Sequence, residues 1–259
     1  ASLGTNGMRK AAIAGDARAV YELAARAADG PVSSRDSKLA LRMFERAAVA
    51  GLAPAQFRVG NMFEKGIGTE RDVSLARLWY SRAAEAGNAK AMHNLAVLSA
   101  DGAGGAPDYE AAARWFAAAA ENGVRDSQYN LGILYAKGLG VDRDLTLSYK
   151  WFAVAAAGGD ADAAKKRDDV AQVLDKDALA RARLAVETWT PATPDPAVNE
   201  TPKGDPSWSA VPEATSAAVV VTDPVAAAQA MLDRMGYDPG PADGKMGERT
   251  RLAIERFQK

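Results

Sequence analysis

The stretch that decides the fold is residues 52–87, LAPAQFRVGNMFEKGIGTERDVSLARLWYSRAAEAG. Within residues 55–65, apolar side chains recur at every fourth position, which is the spacing of one helix face. Glycines then interrupt the pattern, and Asp72 stands where the N-cap of a second helix needs a hydrogen-bond acceptor. A second apolar pattern follows and ends at Gly87. The stretch therefore predicts a pair of helices joined by a tight turn.

This pattern recurs with a period of 36 residues through most of the chain. The columns in register are Gly15, Gly51, Gly87, Gly123 and Gly159; Asp36, Asp72, Asp108 and Asp144; and Trp79, Trp115 and Trp151, with Met43 at the preceding equivalent position. The full units are residues 16–51, 52–87, 88–123 and 124–159. A single helix pair cannot bury its apolar face, so we expect the pairs to stack into an all-α solenoid. Tryptophan and alanine side chains should fill the seams between units.

Three regions follow from the changes in composition. The solenoid with its terminal capping helices should cover residues 1–187, and a proline-rich acidic linker should cover residues 188–222. A small helical module should occupy residues 223–259. Trp189 and Trp208 are unusual in a free linker, so we expect the linker to fold back and lay both rings on the solenoid.

The composition excludes several classes of protein. The chain has no Cys, a single His and a formal net charge of −1, so thiol chemistry, a multi-His metal site and a dedicated nucleic-acid surface are not expected. The apolar runs are shorter than the roughly 18 residues that a membrane span needs. No phosphate-binding glycine loop is present, and the paired acids serve as helix caps or are solvated. We therefore expect no catalytic residues, no metal and no cofactor.

Residues 124–159 carry a resemblance to a known family. The run from Ser127 to Gly132, the glycines 138 and 140, and the Tyr149-Lys150-Trp151-Phe152 tetrad closely resemble the Sel-like repeat. The resemblance implies a right-handed superhelix of antiparallel helix pairs, related to tetratricopeptide repeats, that binds protein partners. Ala27 and Ser99 stand where the family has an aromatic residue, so the first helices of their units should pack less tightly.

The C-terminal region resembles a second family. Gln229, Leu232, the Asp243-Gly244 pair and the Arg249-Thr250 pair are similar to the bacterial peptidoglycan-binding domain. We expect residues 225–258 to match about the first half of that module, which would weaken its binding face. The order of repeats, acidic linker and wall module also resembles the periplasmic part of alphaproteobacterial polar organelle development scaffolds. This resemblance implies a periplasmic location, outside an inner-membrane anchor.

A column on the first helix of each unit is the candidate partner-binding groove. Its members lie about 200° from the packing face or one turn further along the same stripe, and in tetratricopeptide-like solenoids this stripe lines the concave groove. The candidate residues are Tyr21, Phe57, Asn61, His93, Val97, Tyr129 and Ile133. The alternative is that these side chains pack on neighbouring first helices or on the folded-back linker. The residues alone leave both interpretations open.

The C-terminal module offers a second candidate surface, beside its glycine loop. The candidate peptidoglycan-binding residues are Tyr237, Asp243, Arg249, Thr250 and Arg251. The sequence thus favours a non-enzymatic periplasmic scaffold that binds proteins and associates with the cell wall, with a role in polar localisation and cell polarity. The alternative is a regulatory or wall-targeting portion of a peptidoglycan hydrolase system.

Overall fold

A computed structural model describes residues 3–30, 35–208, 224–234 and 239–258. The chain divides into two compact units, Ala1–Ala210 and Val211–Lys259. All regular structure in the described ranges is helical, in stacked pairs with the predicted period of 36 residues, which confirms the all-α repeat fold. The helices of the first unit are α1 (Asn6–Ile13), α2 (Ala17–Asp29), α3 (Ser37–Val49), α4 (Ala53–Lys65), α5 (Val73–Glu85), α6 (Ala89–Ala100), α7 (Tyr109–Glu121), α8 (Arg125–Lys137), α9 (Leu145–Ala157), α10 (Ala161–Val173), α11 (Lys176–Glu187) and the short α12 (Pro196–Asn199).

Local capping explains where the second helix of each repeat begins and where α4 and α8 end. Asp72 accepts a hydrogen bond from the backbone N–H of Leu75 at the start of α5, as predicted. Asp36, Asp108 and Asp144 do the same for α3, α7 and α9. Gly66 ends α4 at a φ of 67°, in the left-handed conformation that glycine adopts without strain. Each cap uses residues close in sequence, which is why the repeat pattern predicts the helices well.

Aromatic side chains from the second helix of each pair form the seam of the solenoid. Tyr80 and Phe152 are buried, and their rings occupy the space that a Cβ would take at Gly60 and Gly132. The tryptophan column lies beside them. Trp79 and Trp151 are 8% and 4% exposed, as a core position requires. Trp115 is half-buried, between two groups of core residues.

The segment after α11 lies on the solenoid, and residues 189–208 are called the strap below. At one end, the Trp189 indole N–H donates to Glu121 at 2.8 Å, and its ring meets Trp151 edge-on at 5.7 Å. At the other end Trp208, in a 3₁₀ turn that spans Pro206–Trp208, is buried among core residues that include Met8 of α1. The expected fold-back of both tryptophans is therefore observed. Most of the segment predicted as a linker belongs to the first unit.

The second unit contains α13 (Pro224–Arg234) and α14 (Glu248–Gln258). The Gln229 side chain is buried between them and organises the intervening loop. Its amide donates to Asp243 Oδ1 at 3.1 Å, to the Lys245 carbonyl at 2.9 Å and to Thr250 Oγ1 at 3.0 Å. Its carbonyl oxygen accepts from the backbone N–H of Gly244 at 3.0 Å. One buried amide thus ties the loop to both helices.

Candidate functional site

The first-helix column packs by a repeated ring contact. Each column ring meets the aromatic side chain of its own unit's second helix at centroid distances of 5.2 to 5.9 Å; the pairs are Tyr21 with Phe44, Phe57 with Tyr80, His93 with Phe116 and Tyr129 with Phe152. Phe57, His93 and Tyr129 remain half-buried, so each ring packs on the core and is still partly accessible to solvent. Asn61, Val97 and Ile133, one turn further along, are also half-buried. The column rings therefore pack on the second helix of their own unit, a contact that neither interpretation named, and partner binding by the column stays a prediction.

Tyr21 departs from this arrangement. It is 6% exposed, and the side chain of Thr201 in the strap lies beside its hydroxyl. Burial raises the pKa of Tyr21 above its usual value. Tyr21 was expected to line the groove, but it is buried because the strap covers the column at the first unit.

An open cleft of about 460 Å³ lies where the column is uncovered, between α4, α6 and the start of α8. Its lining combines two column rings with polar and charged side chains; the residues are Phe57, Asn61, Glu64, Lys65, Lys90, His93, Asn94, Val124 and Asp126. The Tyr80 hydroxyl donates to Glu64 at 2.6 Å from the core side. Burial first, and then this bond to a carboxylate, raises the pKa of Tyr80. The cleft thus offers hydrogen-bonding groups that the core holds in place.

His93 forms a polar pair that the sequence interpretation did not include. Its Nδ1 lies 2.8 Å from the hydroxyl oxygen of Ser127, which is fully buried. Burial lowers the pKa of His93, and the nearby Asp126 carboxylate partly opposes that effect. Ser127 occupies the column in which the other units have Ala19, Ala55 and Ala91. A serine in this alanine column, one unit after the single histidine of the chain, is the sequence signal that could have identified the His93–Ser127 pair.

The candidate residues of the C-terminal module have different environments. Thr250 is 1% exposed, and its hydroxyl donates to the Pro239 carbonyl at 2.9 Å, so its role is structural and not the predicted ligand contact. Asp243, Arg249 and Arg251 are exposed, whereas Tyr237 lies outside the described residues. The backbone N–H of Lys245, followed by the Gln229 amide, lowers the pKa of Asp243.

A cleft of about 450 Å³ lies next to this loop, and Arg249 lines it together with Gly240, Pro241 and Asp233. The cleft is open to solvent and carries a cationic hydrogen-bond donor, the Arg249 guanidinium, and an anionic acceptor, the Asp233 carboxylate. Of the predicted residues, Arg249 is placed in the cleft, and Asp243 shapes the loop that borders it.

Comparison with known proteins identifies both parts of the chain. The family model of the Sel1 repeat matches residues 17–52, 53–88, 89–124 and 125–160, more than half of the chain. The chain belongs to the Sel1 repeat family. A second family model, the peptidoglycan binding domain, matches residues 222–259. The molecule therefore combines a Sel1-repeat protein-interaction domain with a peptidoglycan-binding domain, and the latter implies a location in the cell envelope.

Solved structures of other Sel1 repeat proteins share this architecture. The chain is similar to c5321, a protective antigen present in uropathogenic Escherichia coli strains, at 29% identity and a TM-score of 0.62, over 70% of this chain and 39% of that chain. It is also similar to a Sel1 repeat protein from Oxalobacter formigenes, at 26% identity and a TM-score of 0.59, over 68% of this chain and 75% of that one. The chain thus spans about two fifths of the length of the Escherichia coli protein. A comparison with curated proteins found no match.

Two further properties concern the described part of this Sel1 repeat protein. None of the helices described is long and apolar enough to cross a lipid bilayer. Over the same ranges, no three acidic or histidine side chains are grouped in a way that could hold a metal ion.

Proposed function

We propose that this Sel1 repeat protein is a non-enzymatic scaffold of the bacterial periplasm, which binds a protein partner in the open cleft and associates with peptidoglycan through its C-terminal module. The observation that carries the proposal is the cleft itself. It is lined by Phe57 and His93 together with Asn61 and Asn94, and these side chains come from two different units. Aromatic anchors among fixed polar groups are typical of surfaces that bind other proteins.

The rigid backing of the cleft favours binding. Phe57 packs on Tyr80 and His93 packs on Phe116, so the anchor rings are already ordered before a partner arrives. A preformed surface loses little side-chain entropy on association, which improves affinity for a given contact area.

The polar groups of the cleft support a binding role better than catalysis. The His93–Ser127 pair has the composition of a base and a nucleophile, but the Ser127 hydroxyl is fully buried and cannot reach a substrate. Glu64 is engaged by the Tyr80 hydroxyl. These contacts hold the lining in place, and we assign none of them a chemical step.

The biological setting rests on domain order. Sel1 repeats followed by a peptidoglycan-binding domain are the arrangement that resembles polar organelle development scaffolds. We assign the chain to the periplasmic side of an inner-membrane-anchored protein that acts in polar localisation and cell polarity. The wall module would hold the repeats near peptidoglycan and raise the local concentration of their partner there.

A site-specific photo-crosslinker tests the cleft. We place it at Asn61 in the full chain, with a matched control at Leu184, which is 59% exposed on α11. We expect the Asn61 position to capture an envelope protein that the Leu184 position does not. Replacing Asn94 by Arg, which fills the cleft, should weaken this crosslink about tenfold, the scale of losing one central interface contact. Equal capture at both positions, or no effect of Asn94→Arg, would contradict the binding role.

The same protein tests the absence of enzymatic activity. We expect incubation with purified cell-wall sacculi to release no more soluble muropeptides than buffer does. Release above that background would contradict the scaffold proposal and would indicate that the protein belongs to a peptidoglycan hydrolase system.

A further inference from the structure

The strap contacts the solenoid along most of its length. It begins at Trp189 beside α7 and α9, and the backbone N–H of Ala192 donates to the Glu121 carbonyl at 2.8 Å. It then passes the turn between α5 and α6, meets Tyr21 of α2 through Thr201, and ends with Trp208 on α1. The strap therefore runs from the later units to the first, opposite to the order of the repeats.

Two asparagines, Asn88 of the solenoid and Asn199 of the strap, hold the middle of the strap in place. Each side chain hydrogen-bonds the backbone of the other's segment, and the pair is called the clasp below. Asn199 accepts a hydrogen bond from the N–H of Ala89 at 2.8 Å, and its amide donates to the Gly87 carbonyl at 3.1 Å. Asn88 in turn accepts from Ala91 N–H and donates to the Val198 carbonyl. Each carboxamide thus caps the start of α6 and uses its NH₂ group to hold the two segments together.

This clasp is specific to one turn of the solenoid. The positions equivalent to Asn88 in the other units are Asp16, Leu52, Val124 and Asp160. An aspartate accepts hydrogen bonds but does not donate them when ionised, and leucine and valine side chains do neither. Residue 88 is therefore the position at which the strap backbone finds a side-chain donor.

Trp208 lies against α1 at a repeat position that carries no side chain. The column position in α1 is Gly7, where the later units have Met43, Trp79, Trp115 and Trp151. The backbone of Trp208 lies directly over Gly7, since a Cβ there would come within 2.9 Å of the Trp208 carbonyl oxygen. Thr5 donates a hydrogen bond to the same carbonyl. Trp208 is 4% exposed, and the absence of a side chain at Gly7 is what lets its backbone approach α1 so closely.

The rest of the strap is bound at the surface. Among residues 190–208, all of which the structure describes, Trp208 is the one buried side chain. The other contacts are hydrogen bonds to backbone groups and an ion pair of Arg18 with Asp205 at 3.9 Å. A segment held by an indole at each end and by a few hydrogen bonds between them buries little apolar surface, and such segments are among the least stable parts of a fold. It has the contacts of a bound peptide and not those of a core element.

We propose that the strap is a built-in peptide ligand of the solenoid, and that the surface beneath it recognises an extended, proline-containing segment of a partner protein. That segment would present an asparagine to the α5–α6 turn and a tryptophan to the first end of the solenoid, with its backbone against Gly7. This site lies outside the open cleft, because no strap residue lines the cleft. The proposal therefore goes beyond the proposed function, and neither stands or falls with the other.

A labelled peptide with the sequence of residues 189–208 tests the proposal on the full chain. In the wild-type protein the tethered strap competes at a high effective concentration, so the peptide should bind weakly. The double variant Asn199→Ala/Trp208→Ala loses the Asn199 hydrogen bonds of the clasp and the buried indole of Trp208. We expect it to bind the peptide at least about tenfold more tightly in fluorescence anisotropy. The matched control is Glu200→Ala/Lys203→Ala, which changes two exposed strap side chains and should behave like wild type.

Two further measurements make each result decisive. Circular dichroism should show that the double variant keeps its helices; loss of the helical signal would mean that the strap is a structural element and would overturn the proposal. The same peptide carrying Asn199→Ala and Trp208→Ala should not bind the double variant. Equal binding of the unmodified peptide to wild type and double variant, or no binding to a folded double variant, would also overturn it.

Discussion

At the scale of single residues, departures from the repeat carry the specific chemistry. His93 stands in a column of aromatic rings and Ser127 in a column of alanines, and the two side chains meet. Ser99 replaces an aromatic residue and accepts from the Arg77 guanidinium, which also donates to the carbonyls of Leu98 and Ala103. Ser99 is 3% exposed and takes part in a part-buried network of hydrogen bonds, while looser packing of its helix stays a prediction.

His93 should make the stability of the solenoid depend on pH. Its pKa in the folded protein is below the unfolded value of about 6.5, so folding favours the neutral ring. The stabilisation is present above the unfolded pKa and is lost as the pH falls through the folded pKa. We expect the thermal midpoint to fall between pH 7.5 and pH 5.5, a window in which ordinary carboxylates stay ionised, and to fall less in His93→Gln. An identical pH dependence in both proteins would contradict this account.

At the scale of the helical element, close contacts between units restrict which residues the turns after the first helices can contain. Gly140 follows α8 with a φ of 70°, and its backbone lies against the carbonyl of Tyr109 at the start of α7. A side chain at this position would overlap the preceding unit. Gly68 makes the equivalent approach to Ser37, so the close contact is a repeated feature of the stack.

Replacing Gly140 by Ala should therefore destabilise the solenoid for two reasons. The left-handed backbone costs about 1–2 kcal/mol for a residue with a Cβ. The overlap with Tyr109 should add about 1–3 kcal/mol, as overpacking does in a core. The matched control is Gly15→Ala, where φ is 96° and no atom lies within 4 Å of the added Cβ, so only the first cost applies. Denaturant unfolding measures the difference, and equal losses would refute the close-contact argument.

At the scale of the whole molecule, the two compact units have separate means of stabilisation. The solenoid gains stability from stacked units and from the strap, whereas the C-terminal unit depends on the hydrogen bonds of one buried amide. All of the Gln229 bonds are made within residues 229–250. Damage to this amide should therefore be confined to the peptidoglycan-binding domain.

Gln229→Leu tests that separation. The change removes the hydrogen bonds to the Gly244 N–H and the Lys245 carbonyl, each worth about 0.5–1.5 kcal/mol. We expect this variant to lose sedimentation with peptidoglycan sacculi while the solenoid keeps its slow hydrogen exchange. Arg251→Gln, at an exposed position of α14, serves as the control for fold and should not alter hydrogen exchange in α13 and α14. Faster exchange throughout the solenoid of Gln229→Leu would contradict the separation.

The amino-acid sequence by itself determined the helix pairs, their period and their caps. Asp72 and Gly66 act on backbone groups a few residues away, so the local order of residues is sufficient to predict them. The tertiary structure alone decided that Tyr21 is covered, that Ser127 meets His93, and where Trp208 lies over Gly7. These contacts join residues that are between 34 and 201 positions apart, and they depend on how closely units and strap approach. Periodicity shows which face a side chain occupies, but only packing determines what covers it.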